Sequence, residues 1–141
     1  MKRLLAVLIA ALALFAAACG KSNGGEKTVA TVTVEETIVV ITVEETSGEP
    51  TLLSVMKELK KAEKLDFTAD ATGMIMSING KANPADWSAC WMLYLSDEEL
   101  SNTAYGTLEY GGETYGSAVL GANSLLVEAG ETYIWNYQTF K

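Results

Sequence analysis

Catalysis needs nucleophiles, proton carriers or metal ligands, and this chain of 141 residues supplies few of them. Histidine is absent, which removes the commonest general base and the commonest metal ligand. No glycine-rich phosphate loop opens a helix, and Gly-x-Ser-x-Gly does not occur. Some of the acids fall in adjacent pairs, such as Glu35-Glu36, Glu44-Glu45 and Glu98-Glu99. Neighbours on a strand project to opposite faces, so such a pair does not converge on one reacting atom. Asp97-Glu98-Glu99 lacks the spacing of a known calcium loop and reads as a solvated turn. An enzyme is therefore not expected. Aromatic rings are abundant instead: Trp87, Trp91, Tyr94, Tyr105, Tyr110, Tyr115, Tyr133, Trp135, Tyr137 and Phe140. Each ring either fills the core or walls a site. Trp91 and Trp135 lie in strand-like runs and suit an interior; Trp87 and Tyr105 lie near loops and suit a surface for a flat or amphipathic ligand.

The first eighteen residues have the layout of a signal peptide: Lys2-Arg3, an apolar run from Leu4 to Ala18, then small residues before a cysteine. The run is shorter than the roughly 20 residues that a transmembrane helix needs. Ala16-Ala17-Ala18-Cys19-Gly20 resembles the lipobox of bacterial lipoproteins, although Ala16 stands where a larger aliphatic residue is more usual. The resemblance implies lipid attachment at Cys19, cleavage before it, and a protein held on the outer face of a membrane. A plain secreted protein cut nearby is the alternative. Residues 19–27, rich in glycine and polar side chains, suit a flexible tether. Residues 28–141 remain for one domain. With Cys19 modified, Cys90 has no partner for an internal disulfide; its apolar neighbours make it a small buried hydrophobe. Loss of Lys2 and Arg3 takes the formal net charge from −8 to −10. So acidic a surface argues against binding nucleic acid or anionic lipid by electrostatics.

The elements that must position any site are legible in outline. Val32, Val34, Ile38, Val40 and Val43 alternate imperfectly with polar residues and predict strands over 28–34 and 37–45. Thr-Val-Glu-Glu-Thr occurs at 33–37 and again at 42–46. A helix is predicted over 51–64: Thr51 is a suitable N-cap, Leu52, Val55, Met56, Leu59 and Ala62 form one apolar stripe, and lysines crowd the C-terminal end, where the helix dipole favours them. Its basic face is expected to be solvated surface, with Lys60 dispensable. Further strands are expected at 66–71, 74–78, 91–95, 125–128 and 133–137, with turns at Asn79-Gly80 and 129–131. The glycine-bearing stretch 96–121 reads as long surface loops with a short hairpin around Gly111-Gly112.

Four blocks carry a family likeness: Thr51 to Leu59, Gly73 to Ala82, Trp91 to Leu95 and Val127 to Tyr137. Their order and spacing resemble the transcobalamin-like C-terminal domain, the smaller, mostly β domain of intrinsic factor and transcobalamin, which also occurs alone in bacterial surface proteins. The resemblance covers about residues 30–140. It implies an α+β domain, a β-grasp-like curved sheet packed on a single helix. In the vitamin carriers this domain closes over cobalamin against a helical domain that this chain lacks. By motif position, Ser77, Ile78, Asn79, Trp91 and Tyr94 match regions near the corrinoid, and Trp87 lies in the adjoining loop. These six residues are the expected ligand site. No cofactor is expected; cobalamin or a related corrinoid enters only as ligand. The function expected is thus a cell-surface lipoprotein binding a small amphipathic molecule, with a surface protein or transporter as a further partner. An anchored module that docks a protein or glycan is the alternative.

Overall fold

A computed structural model describes residues 28–140. The signal peptide, Cys19 and the tether lie outside the described residues. Ten elements follow in chain order: β1 (Thr28–Val34), β2 (Ile38–Thr46), α1 (Leu52–Lys61), β3 (Phe67–Ala69), β4 (Ile75–Ile78), β5 (Lys81–Ala82), β6 (Ala89–Leu95), β7 (Ser101–Tyr110), β8 (Glu113–Ala118) and β9 (Thr132–Thr139). Six strands make one antiparallel sheet in the order β1-β2-β9-β6-β8-β7, and β3-β4-β5 make a second, small one. One helix on a mostly antiparallel sheet is a mixed α+β architecture. Among the described residues no helix is long and apolar enough to cross a membrane.

Alternation decides which side chains meet the helix. Val39, Ile41 and Val43 on β2, Trp91, Leu93 and Leu95 on β6, and Tyr133 and Trp135 on β9 share one cluster with Leu52, Val55, Met56 and Leu59 of α1. That burial of the helix stripe is what holds α1 to the sheet, because a ten-residue helix alone is marginal in water. Thr51 caps it, its Oγ1 accepting from Ser54 N at 3.1 Å. The predicted C-terminal end was too long. The helix stops at Lys61, Ala62 is exposed, and Glu63 sits at φ 64°. Lys64 N donates to Leu59 O and Glu63 N to Lys60 O, both at 2.9 Å, which is the Schellman pattern. A glutamate rather than a glycine occupies its left-handed position, so the usual stop signal is missing from the sequence. Lys60 is also more engaged than expected: its Nζ donates to Phe67 O at 2.7 Å, lies 3.6 Å from the Asp66 carboxylate and sits over the Phe67 ring.

The face of the sheet away from α1 is covered in part as well. Tyr94 and Ile134 alternate with the core positions, yet both are buried. Here the structure corrects the loops expected over 96–121: residues 101–118 form a long hairpin, β7–β8, turning at Gly111-Gly112. Its tip reaches back to the β1–β2 turn, where Tyr110 Oη donates to the Glu35 carboxylate at 3.2 Å. The two edges of the sheet are thereby tied at one end. The strand expected at 125–128 is corrected too. Leu125 and Val127 are buried, but the segment makes only one isolated bridge, Thr51 to Leu126.

Candidate functional site

The site begins with two loops. Asp70 orders the first. Its Oδ1 accepts from Thr72 N at 2.8 Å, Thr72 Oγ1 at 2.7 Å and Met74 N at 3.0 Å. These bonds, the Thr72 hydroxyl foremost, hold the Asp70 carboxyl below the usual aspartate range. The second loop follows β8 and turns through Gly121, whose carbonyl accepts from Ser124 N and Leu125 N. The loops meet where Asn123 Nδ2 donates to Thr72 O at 2.7 Å. Gly73 allows the contact: at φ 92° it has no side chain, and a Cβ there would stand 2.7 Å from Asn123 Cβ.

Between these loops and the helix-facing side of the sheet lies a cleft of about 290 Å³. Trp91 and Leu93 of β6, Trp135 of β9 and Ile75 of β4 wall it, and Met74 and Leu120 lie among its lining residues, 47% and 41% exposed. Thr72, Ser117 and Asn123 supply its polar side chains besides the indoles, and no charged residue lines it. Trp91 is firmly held. Its Nε1 donates to Lys81 O at 2.8 Å, its ring packs edge-on to Tyr137 at 5.2 Å, and Asn83 Oδ1 takes its backbone N–H at 3.0 Å. Asn83 Nδ2 donates in turn to Ile75 O, which stitches the small sheet to β6. Trp135 differs: its Nε1 is buried and no protein acceptor among the described residues reaches it.

The six residues expected to form a ligand site are dispersed. Trp91 alone lines the cleft. Ile78 is wholly buried in the core. Ser77 is paired with Thr68, hydroxyl to hydroxyl at 2.8 Å. Asn79, at φ 51°, opens the β4–β5 turn and takes Asp66 N on its Oδ1. With Val34, Glu35, Glu36, Gly80 and Lys81 it borders a separate hollow of about 510 Å³, larger than the cleft but shallower and edged by charged side chains. Trp87 is 45% exposed at φ 57°, on a turn closed by its N–H to Pro84 O. Tyr94 lies on the other face of β6, its hydroxyl 2.6 Å from Gln138 Oε1; burial raises its pKa. Trp91 and Tyr94 thus share no surface, as alternation requires.

Two groupings were not legible in sequence. Thr72, Met74, Ser117, Leu120, Asn123 and Trp135 complete the cleft; the sole local hint was the aromatic run of β9. Asp97 gathers not with Glu98 and Glu99 but with Glu128 and Glu131, whose carboxylate oxygens lie within 4.8 Å of one another. Ser96 Oγ donates to Glu131, and Asp97 Oδ1 takes Glu99 N at 2.8 Å. Tyr133, beneath them, takes Glu128 N on its hydroxyl, and burial first, then these acids, push its pKa up to about 12. Cys90 lies half-buried on β6, its thiol 3.4 Å from Met92 Sδ and its pKa raised by burial, away from the thiolate that reactivity needs. The chain matches no family model, no curated protein and no solved structure.

Proposed function

We propose that this chain is an extracytoplasmic, lipid-anchored binding protein that holds a small amphipathic ligand, or one group of a larger one, in the cleft between residues 72–75 and 117–123. The observation that carries the reading is the composition of that cleft. Two tryptophans, Ile75 and Leu93 wall it, a few polar groups punctuate it, and none of its side chains is an acid, a base or a thiol. That is the make-up of a site that binds, and it offers nothing to move a proton. The signal-like N-terminus and Cys19 support the location. The β1–β2 hairpin leading into α1 supports the β-grasp-like reading of the domain, and with it the likeness to the transcobalamin-like family.

Size limits what enters. Small-molecule sites run from about 300 to 1,000 Å³, and this cleft lies at the low end. A corrinoid would insert a peripheral group and leave its macrocycle outside, against Met74 and Leu120. The test is calorimetry of the full chain with cobalamin and with small neutral amphiphiles, beside Met74→Asp and Leu120→Asp. Both residues are exposed, so both variants should fold normally and lose binding. Binding untouched by either substitution would place the ligand elsewhere, and no heat from any compound at millimolar concentration would leave the docking module as the better reading. Detergent partitioning of Cys19→Ser against the parent tests the anchor: equal partitioning of both into the aqueous phase refutes it.

A further inference from the structure

We infer that the outer edge of β1 is a docking strand for an extended segment of another polypeptide, one with an uncharged, β-branched middle and basic residues at both ends. The inference does not rest on the cleft, which other segments form, and goes beyond the ligand reading.

β1 ends the six-stranded sheet, with β2 as its neighbour. Glu35 N donates to Ile38 O at 2.8 Å, which closes the β1–β2 turn and sets the alternation of the ladder. Thr31 and Thr33, opposite Thr42 and Val40, turn their N–H and C=O toward β2; Ala30, Val32 and Val34 turn theirs outward. Val43, opposite Ala30, agrees, because its own N–H goes the other way, to Glu131 O at 3.1 Å. No backbone group among the described residues meets the outward ones. Tyr110 reaches the adjoining turn, but there its hydroxyl bonds the Glu35 carboxylate. An open row of donors and acceptors is a template for one more strand.

Proteins commonly blunt such an edge with a charge, a proline or a bulge. The opposite edge follows that practice: β7 carries Glu109 and breaks register between Asn102 and Thr107. β1 does not. It reads Thr-Val-Ala-Thr-Val-Thr-Val, without charge or proline, and from Ala30 to Val34 its register is unbroken.

Charge selects the occupant. The repeated Thr-Val-Glu-Glu-Thr sets Glu35-Glu36 at one end of β1 and Glu44-Glu45, beside Val29, at the other, about 20 Å apart along an extended strand. All four glutamates are exposed, and none is in an ion pair among the described residues. Lys81, which borders the same hollow as Glu35 and Glu36, sits over the Tyr137 ring instead. A second copy is a poor occupant. Pairing β1 with β1 brings acids to acids whether the strands run parallel or antiparallel, in a chain of formal net charge −8. A strand with lysine or arginine at both ends meets the acids whichever way it runs. It would lie two strand spacings from β2, about 10 Å, which is about one Debye length at 0.1 M salt. The attraction is therefore salt-dependent.

The probe is a synthetic peptide, capped at both termini, with two lysines on each side of a Thr-Val-Thr-Val-Thr core. One control carries glutamates in place of the lysines, and another has proline for the central threonine. Nitrogen-15 spectra of the full chain read where each docks. At low salt the lysine peptide should slow hydrogen exchange at the Val32 and Val34 amides and leave Thr31 and Thr33, already bonded to β2, as they were. Both controls should bind more weakly. Replacing Glu35, Glu36, Glu44 and Glu45 together by glutamine should weaken the lysine peptide about two- to thirtyfold, the range of two exposed ion pairs. Val34→Pro removes an outward N–H that the ladder does not use, from an exposed residue; it should weaken the peptide with little change in melting temperature. Unchanged Val32 and Val34 amides at millimolar lysine peptide would overturn the docking edge. Equal binding of the proline peptide would overturn strand addition, and equal binding of the glutamate peptide the selection by charge. Concentration-dependent protection of Val32 and Val34 without peptide would make the occupant a second copy and overturn the inference as stated. None of these outcomes bears on the cleft.

Discussion

Replacing Gly73 with alanine puts a methyl group where the two cleft loops touch. The new Cβ would stand 2.7 Å from Asn123 Cβ, 2.8 Å from its Nδ2 and 2.9 Å from its Cγ. Two of those atoms are the amide end and can swing away, but Cβ moves only with the backbone. Gly73 also sits at φ 92°, a conformation that costs an L-residue about 1–2 kcal/mol. Displacing Asn123 gives up its 2.7 Å bond to Thr72 O, a further contribution of about 0.5–1.5 kcal/mol. With residual strain between the two Cβ atoms, Gly73→Ala should cost about 2–4 kcal/mol, a large share of a total stability of about 5–15 kcal/mol. Urea unfolding followed by circular dichroism measures it. The reasoning separates the two causes in a second background. In Asn123→Gly the obstacle is gone, so Gly73→Ala should there retain only its backbone cost and fall by half or more. A Gly73→Ala protein within about 0.5 kcal/mol of the parent, or an equal cost in both backgrounds, would refute the contact as the source.

Leu59→Ala should cost about 2–5 kcal/mol, because Leu59 is buried at the centre of the helix stripe; an unchanged urea midpoint would show that α1 packs by another face. Glu63→Gly should stabilise by about 1 kcal/mol, since the Schellman position holds a non-glycine residue at φ 64°; a lower melting temperature would refute the strain. The Asp70 carboxyl is held below its usual range by the bonds it accepts, so what it contributes to the 70–74 loop is fully present above about pH 3.9 and is lost as the pH falls through the lower, folded value. Amide shifts of Thr72 and Met74 should titrate below that ordinary value and stay flat in Asp70→Asn; titration at or above it would overturn the assignment.

Local chemistry was legible because the chain carries it within a few residues. Thr51 caps a helix because its hydroxyl lies within reach of Ser54 N. Asn79-Gly80 and Gly111-Gly112 turn because all four residues adopt positive φ, at 51°, 84°, 61° and 86°, as a tight two-residue hairpin demands. What failed depended on neighbours distant in sequence. Residues 101–110 read as loop because most of their side chains stay exposed or half-exposed on an edge strand, so no apolar alternation announces them. The pentapeptide Thr-Val-Glu-Glu-Thr shows the limit most plainly: its first valine, Val34, is 46% exposed beside a turn, and its second, Val43, is fully buried in the core. The two are identical locally, and only the register of β2 between β1 and β9 separates them. The site follows the same rule. The sequence by itself determined that the chain would be aromatic, acidic, histidine-free and built as a sheet with one capped amphipathic helix. It did not determine which rings would meet. The ladder pairs Leu93 with Trp135 and Trp91 with Tyr137, bringing both indoles to one face, and the fold alone sets Gly73 against Asn123 to bound the cleft. Contacts between distant segments depend on the whole chain closing at once, so no local stretch of residues records them.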